Sequence, residues 1–189
     1  MTFFIKTGVV KLYNITSAGE EKIVSYESDG GFLPVEWLFN HAPVSLYYYD
    51  TFTDCEVYRI PKIDVIEVIN KNPQAALSLL DRSFSMFIGA TMHLHALEQS
   101  KARNKLLHIL QYLVLRFGEK VDTNHSKIKL RLTHQDIANL IGTTRETISS
   151  EMGKLVKEGV AKVDKNEYVV NTDKALRLLG ESDFKDLKL

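Results

Sequence analysis

The stretch Leu132–Lys154 constrains this chain more than any other, because it has the pattern of two short helices joined by a tight turn. Thr133 and Asp136 have the spacing of a capping box at the start of the first helix. Gly142 supplies the turn, since glycine adopts backbone conformations that other residues avoid. Thr144 is placed to cap the second helix. The sequence therefore predicts a helix-turn-helix.

The predicted second helix has two chemically different faces. The apolar residues at helical spacing, which we expect to point inward, are Ile148, Met152, Leu155 and Val156. The opposite face carries Arg145, Glu146, Ser149 and Ser150. In a major groove, Arg pairs with guanine and a carboxylate accepts from cytosine N4. We expect these four residues to read DNA bases, which predicts a sequence-specific DNA-binding regulator rather than an enzyme. The alternative is that Arg145 and Glu146 form a surface ion pair only.

Six further polar residues are candidates for contacts to the DNA backbone. They are Thr133, Gln135, Thr144, Thr147, Lys154 and Lys165. Phosphate contacts of this kind set the register of a protein on DNA but not its sequence preference, and the lysines would add salt-dependent affinity. In the alternative, the threonines act only as helix caps and the lysines are plain solvated charges.

Charge is divided unevenly along the chain. Residues 1–100 contain seven Lys or Arg and twelve Asp or Glu, whereas residues 101–189 contain seventeen and twelve. The halves therefore carry net charges of −5 and +5. A basic half suits a polyanion such as double-stranded DNA, although an imbalance of this size also arises by chance. Here the basic half is the one with the helix-turn-helix.

Several classes of protein are disfavoured by the residues. Cys55 is the one cysteine, so an internal disulfide or a cysteine-ligated iron–sulfur cluster within this chain is excluded by count. His93 and His95 lie two apart on a predicted helix, where they point to different sides and are poorly placed for one metal. No catalytic triad or phosphate-binding loop pattern occurs. The expectation is no enzyme activity, no cofactor and no metal.

The membrane and secretion signals that can be read from sequence are also missing. No apolar run is long enough for a membrane span, and the N-terminus lacks a signal-peptide pattern. The sequence therefore predicts a cytoplasmic protein without a membrane partner.

Residues 1–60 are expected to form the first domain, a β-rich one. Short runs of β-branched and aromatic residues are separated by glycine and proline turns, which is typical of an antiparallel barrel or sandwich. The predicted strands are Phe3–Ile5, Val9–Tyr13, Lys22–Tyr26, Leu46–Phe52 and Cys55–Ile60. Cys55 is expected to be a buried structural thiol.

Residues 61–100 are expected to form a short helix, from Pro61 to about Ile69, and then a long one. Asn72 is placed as the cap of the long helix, with Pro73 at its first position, and the helix is predicted to run to about Ser100. Its apolar residues at alternating spacings of four and three form a coiled-coil seam, which predicts a homodimer. The seam residues are Leu80, Phe84, Phe87, Thr91 and Leu94. The alternative is a long helix buried within one chain.

Residues 101–189 are expected to form a winged helix-turn-helix domain. The predicted elements beside the helix-turn-helix are a helix over Ala102–Phe117, a strand over Lys127–Arg131, a hairpin of Val160–Val163 with Tyr168–Val170, and a final helix over Lys174–Leu179. The predicted fold class is therefore α+β: an antiparallel β-barrel, a long dimerisation helix and a C-terminal winged helix-turn-helix.

In this order of elements the chain resembles the Crp/Fnr family of bacterial transcription regulators. The segments that carry the resemblance are Phe4–Leu12, Gly19–Tyr26 followed by Gly30–Phe32, Pro61–Pro73 and Leu132–Lys157, the last with its wing and the signature Arg145–Ile148. The resemblance implies a jelly-roll, cupin-like effector barrel that resembles a cyclic nucleotide-binding domain. It also implies a homodimer on a palindromic site with TGA-like half-sites, and contact with RNA polymerase.

Three departures from the family pattern shape what is expected of the barrel and the recognition helix. Family barrels carry further residues before the Phe4 strand, so the barrel is expected to be incomplete at its N-terminus. Pro34-Val35 and Ser45-Leu46 stand where cyclic-AMP-binding members have Gly-Glu and Arg-Ser, so a small-molecule effector other than cyclic AMP is expected, in a pocket that the sequence does not identify. Ser149-Ser150 stand where many members have an Arg.

Two other functions are left open by the sequence. In one, the barrel has lost its ligand and serves only dimerisation or contact with RNA polymerase, so that DNA binding is independent of an effector. In the other, a cupin-like metalloenzyme is fused to the helix-turn-helix, which requires bound metal.

Overall fold

Two antiparallel three-stranded sheets form the N-terminal part of the protein in the computed structural model, which describes residues 1–180. The strands are β1 (Thr2–Thr7), β2 (Val10–Ile15), β3 (Glu21–Glu27), β4 (Phe32–Leu33), β5 (Tyr48–Thr51) and β6 (Glu56–Ile60). One sheet has the order β4-β1-β6 and the other β3-β2-β5. Ile5, Val10, Leu12 and Leu33 are buried together as the core. The predicted antiparallel β fold is confirmed.

Gly8 makes the turn between β1 and β2, and no other residue fits there. Its φ is +99°, and an added Cβ would lie 2.4 Å from the Asp54 carbonyl oxygen and 2.6 Å from Cys55 Sγ. The turn therefore brings the β1–β2 connection against the chain that enters β6.

Three helices follow the strands of this part: α1 (Val35–Leu38), α2 (Lys62–Lys71) and α3 (Pro73–Glu98). Asn72 Oδ1 accepts hydrogen bonds from the backbone N–H groups of Gln74 and Ala75, so the predicted cap of the long helix is confirmed. Near the start of α3, Arg82 donates to the buried carboxylate of Glu27 at 3.0 Å. This ion pair joins the third turn of α3 to strand β3.

The chain divides into two compact units, Met1–Phe84 and a second that begins at Ser85. The second contains α4 (Ala102–Phe117), β7 (Gly118–Lys120), β8 (His125–Ile128), α5 (His134–Ile141), α6 (Arg145–Lys157), β9 (Ala161–Asp164), β10 (Glu167–Asn171) and α7 (Thr172–Leu179). Its antiparallel sheet has the order β7-β8-β10-β9. Helix α4 is buried along most of its length and contacts α5, α6 and α7. The winged helix-turn-helix is therefore built around α4.

Several predicted boundaries were wrong. The strand predicted over Leu46–Phe52 begins at Tyr48, because the Leu46 N–H donates to Glu36 instead of to a neighbouring strand. The strand predicted over Lys127–Arg131 is His125–Ile128, since its partner β10 pairs with those residues. Cys55 lies just before β6 and is only half-buried.

Three short elements were not predicted from the sequence, and the predicted orientation of one side chain was wrong. Strands β4 and β7 and helix α1 are too short to give a periodic pattern. Val156, predicted to point inward, is 41% exposed. It lies at the edge of the stripe formed by Ile148, Met152 and Leu155, because eight residues after Ile148 a helix has turned about 80° beyond two whole turns. No helix within residues 1–180 is long and apolar enough to cross a membrane.

Candidate nucleic-acid interface

The helix-turn-helix begins with the predicted capping box. The Thr133 hydroxyl accepts from the backbone N–H of Asp136 at 3.1 Å, and the Asp136 carboxylate accepts from the backbone N–H of Thr133 at 2.8 Å. At the other end of α5, Gly142 is left-handed with a φ of 64°, and its N–H donates to the Ala138 carbonyl. The Thr144 hydroxyl then accepts from the Thr147 N–H and starts α6. The caps and the turn are confirmed.

The inner faces of both helices are fully covered. On α6, Ile148, Met152 and Leu155 are each no more than 2% exposed. The buried residues of α5 are Ile137, Ala138, Leu140 and Ile141. Packing therefore fixes the direction in which the opposite face of α6 points.

That opposite face carries the four predicted base-reading residues. Arg145, Glu146, Ser149 and Ser150 are all exposed, and they occupy the first two turns of α6. Residues in the N-terminal turns of a recognition helix are the ones that reach base edges in helix-turn-helix proteins. The fold thus brings the four side chains together on a surface where a major groove can be contacted.

His134, a residue that the sequence did not single out, contacts this face. Its Nδ1 lies 2.7 Å from the hydroxyl oxygen of Ser149. Burial, together with the positive charge of Arg145, lowers the pKa of His134 below its ordinary value of 6.5. The available signal was weak, because a histidine directly after a cap residue has no spacing that points to a partner fifteen residues away.

The residues predicted to contact phosphates surround this face but mostly have partners within the protein. The hydroxyls of Thr133 and Thr144 accept the backbone bonds that cap α5 and α6. The Thr147 hydroxyl lies 3.0 Å from that of Thr144. Gln135 donates to Asn139, and Lys154 pairs with Glu151 at 2.6 Å. These bonds are between exposed groups, so a DNA phosphate can compete with them.

The wing carries Lys165 at its tip. Strands β9 and β10 pair up to Asp164 and Glu167, which leaves Lys165 and Asn166 as a two-residue loop. Both have positive φ values, 46° and 66°, as the tight hairpin turn requires. Lys165 is exposed there, as the predicted hairpin implies.

Two sets of contacts hold the wing to the helix-turn-helix. The Tyr168 hydroxyl of β10 donates to the Leu132 carbonyl, just before α5, at 2.8 Å. Burial, with a smaller contribution from the negative charge of Asp136, raises the pKa of Tyr168 to about 12. At the surface, Lys127 and Arg131 both pair with Glu167 and lower its pKa below the ordinary value.

The predicted seam on α3 is exposed apolar surface. The exposed fractions of Leu80, Phe84, Phe87 and Leu94 lie between 52% and 68%, and Thr91 is exposed as well. His93, by contrast, points inward. Its Nε2 lies 2.7 Å from the Leu140 carbonyl oxygen, and its ring stacks on Tyr112. His93 thus has a packing contact with α5, and no group of three potential metal ligands occurs within residues 1–180.

The β-sheet unit contains a cavity of about 440 Å³. Phe3, Ile5, Val10, Leu33, Pro34 and Val57 give it a mainly apolar wall, and its polar lining residues are Ser45, Tyr49, Asp50 and Thr51. None of these described lining residues is Lys or Arg. Burial raises the pKa of Tyr49 to about 12, and its hydroxyl donates to Glu36. The cavity is therefore chemically suited to an apolar molecule without negative charge.

Two family models match the chain. The model of the Crp-like helix-turn-helix domain matches residues 104–179, and that of the cyclic nucleotide-binding domain matches residues 1–72. The Global nitrogen regulator of Synechocystis sp. is 27% identical over 92% of this chain and 77% of its own length. The Fumarate and nitrate reduction regulatory protein of Escherichia coli is 26% identical over 95% of this chain and 71% of its own length.

Solved structures share the fold. FixK2 from Bradyrhizobium japonicum superposes with a TM-score of 0.75 at 19% identity, over 94% of this chain and 86% of that one. A cyclic nucleotide-binding domain containing protein from Listeria monocytogenes gives 0.79 at 16% identity, over 92% and 80%. The predicted architecture of antiparallel sheets, long helix and C-terminal helix-turn-helix is confirmed.

Proposed function

The chain belongs to the Crp/Fnr family of transcription regulators, and we propose that it works as a homodimer that reads a palindromic DNA site with TGA-like half-sites. The observation that carries the proposal is the exposed face of α6, where Arg145, Glu146, Ser149 and Ser150 lie over a fully buried inner face. Glu146 accepts from cytosine N4, and Arg145 donates to guanine or to a phosphate. Ser150 is too short to replace an arginine, so one position of the half-site is relaxed.

Contacts to the DNA backbone place the helix in the groove. In this proposal they come from Thr133, Gln135, Thr144, Thr147, Lys154 and, through the wing, Lys165. The side-chain bonds that Gln135, Thr147 and Lys154 make within the protein are exposed, and in this proposal they exchange for phosphate oxygens when DNA binds. The lysines make the affinity dependent on salt.

Dimerisation uses the α3 seam of Leu80, Phe84, Phe87, Thr91 and Leu94. The support is that this apolar row is exposed in the single chain, where it is costly to leave in water. A homodimer would present two recognition helices, which read half-sites about one helical turn, roughly 34 Å, apart.

The cavity in the first unit supports control by a small molecule. Its volume is within the range of ligand pockets, and its apolar wall, with no cation among the described lining residues, suits an uncharged apolar effector better than a cyclic nucleotide. The effector would favour one pose of the DNA-binding domains. In this scheme residues 1–60 sense, residues 61–100 dimerise, residues 101–189 bind DNA, and RNA polymerase is the further partner. The protein has no catalytic role.

The alternative proposal is a DNA-binding module without an effector, whose barrel serves only dimerisation or contact with RNA polymerase. It is favoured by Pro34-Val35 and Ser45-Leu46, which cannot supply the charged groups that hold a phosphate. The two proposals differ in whether small molecules extracted from cells change the affinity of the protein for its selected DNA.

The test of DNA recognition is selection of bound DNA from a random library. The variant Glu146→Ala is compared with Glu119→Ala, which removes an exposed carboxylate from β7, outside the recognition helix. We expect a palindrome with TGA-like half-sites for the wild type and Glu119→Ala, and relaxed specificity for Glu146→Ala. Binding that is salt-sensitive but indifferent to sequence in all three proteins contradicts the proposal.

A further inference from the structure

One hydrogen bond crosses between the two helices on the proposed DNA-facing surface. His134 is the first residue of α5 and Ser149 lies in the second turn of α6, and Nδ1 of the ring is 2.7 Å from Oγ of the serine. Ser149 is exposed, on the same face as Arg145 and Glu146. The hydroxyl is therefore held from one side by the protein and is open on the other side to a DNA base.

The hydrogen-bonding role that Ser149 can play toward a base depends on whether Nδ1 of His134 carries a proton. A hydroxyl has one hydrogen to donate and two lone pairs that accept. If its hydrogen is given to Nδ1, only its lone pairs remain for the base. If Nδ1 carries a proton, the serine instead accepts from the ring, and its own hydrogen is free.

The surroundings of His134 favour the first arrangement at neutral pH. Burial lowers its pKa, and Arg145, the charged group of α6 that acts on the ring, lowers it further, so the ring is neutral. Asp136 on the same helix is held by the capping bonds to Thr133. In water, the more stable tautomer of a neutral histidine has its proton on Nε2, which leaves Nδ1 as an acceptor.

We propose that His134 and Ser149 act as one base-reading unit, in which His134 takes the serine hydrogen and so makes Ser149 an acceptor for the amino group of adenine or cytosine. In the major groove, adenine N6 and cytosine N4 are donors, whereas guanine and thymine present acceptors. His134 is thus a positioning residue that determines specificity at one position of each half-site. The inference rests on the proposed DNA-binding function.

The test compares affinities for four versions of the selected site that differ in the base opposite Ser149. We expect the wild type to bind the adenine or cytosine version about fivefold more tightly than the other two, the factor that one ordinary hydrogen bond gives. Ser149→Ala is expected to lose this preference. His134→Phe keeps a ring but offers no acceptor, so the serine is free to donate as well as accept and the preference is expected to flatten. The double variant should resemble Ser149→Ala, because the two residues act on one contact.

Measuring the base preference of the wild-type protein at lower pH tests the proposal even if the His134→Phe variant misfolds. As the pH falls through the lowered pKa of His134, the ring gains a proton and donates to Ser149, which frees the serine hydrogen and leaves one lone pair, so the preference for adenine or cytosine should weaken at that position alone. A wild-type preference for guanine or thymine at neutral pH, or a preference unchanged in His134→Phe and at low pH, overturns the proposal. Either of these overturning results would leave the sequence preference at the other positions of the site unchanged, whereas failure of the proposed function removes the sequence preference at every position.

Discussion

Removal of the Tyr168 hydroxyl tests how the wing supports the recognition helices. Tyr168 is fully buried, and its hydroxyl donates to the Leu132 carbonyl at 2.8 Å, next to the capping box of α5. Tyr168→Phe keeps the ring and its packing but leaves a buried carbonyl without this donor. Such a loss costs ~1–3 kcal/mol. We expect the free energy of unfolding of the second unit to fall by that amount.

The assay is urea unfolding followed by two signals. Trp37 is the one tryptophan of the chain and lies in the first unit, so its fluorescence serves as an internal reference, whereas far-UV circular dichroism follows the helices. Tyr48→Phe is the matched control, because Tyr48 is 58% exposed. The dichroism transition should move to lower urea in Tyr168→Phe only. A shift no larger than that of the control would mean that water or relaxation satisfies the carbonyl, and the argument for the wing would fail.

Three other predictions concern assembly, salt and pH. Phe87→Glu places a charge in the seam, at a residue that is 68% exposed, and should convert dimers to monomers in sedimentation equilibrium. Ile63→Glu, at a residue 70% exposed outside the seam, should leave the dimer intact, and equal behaviour of the two variants would contradict dimerisation through the seam. Lys165→Ala should reduce the slope of log affinity against log salt by about one per protomer, and an unchanged slope would remove the wing tip from the contact. The pKa of Glu167 is lowered by its two cationic partners, so its stabilising contribution is present above the ordinary glutamate pKa and is lost as pH falls through the lowered value. In Glu167→Gln, the melting temperature should therefore fall less steeply with acidification than in the wild type, and equal slopes for the two proteins would refute the prediction.

The parts of the fold that could be predicted are those fixed by neighbours in sequence. The helix Ala102–Phe117 has its predicted bounds because its apolar residues recur every three or four positions. The caps at Thr133 and Thr144 were predictable for the same reason, since a cap bond spans three residues. Lys165 could be placed at a hairpin tip because strand patterns flank a polar turn.

The parts that could not be predicted depend on packing between distant segments. The bond from His134 to Ser149 exists only because α5 and α6 cross at a particular angle, which no spacing encodes. Val156 lies about 80° from Ile148 on α6, at the edge of the buried stripe, and only the assembled fold shows that the neighbouring elements leave this edge exposed. The cavity in the first unit joins residues from five strands and their connections, so its apolar wall becomes apparent only when the sheets are assembled.

The pairing of β8 with β10 has a consequence for how the protein folds during its synthesis. Lys127 of β8 lies opposite Val169 of β10, so this strand pair joins two segments of the chain that lie on either side of the helix-turn-helix in the sequence. On the ribosome, α5 and α6 emerge before β10 exists, and for that interval Leu132 lacks the Tyr168 hydroxyl that later meets it. The helices and the β7–β8 pair, whose contacts are local, can form early, but the β8–β10 pair must wait for β10. A nascent chain that stalls between α6 and β10 therefore exposes the edge of β8 that later pairs with β10, and the rate of translation through this segment becomes part of how the DNA-binding unit reaches its native state.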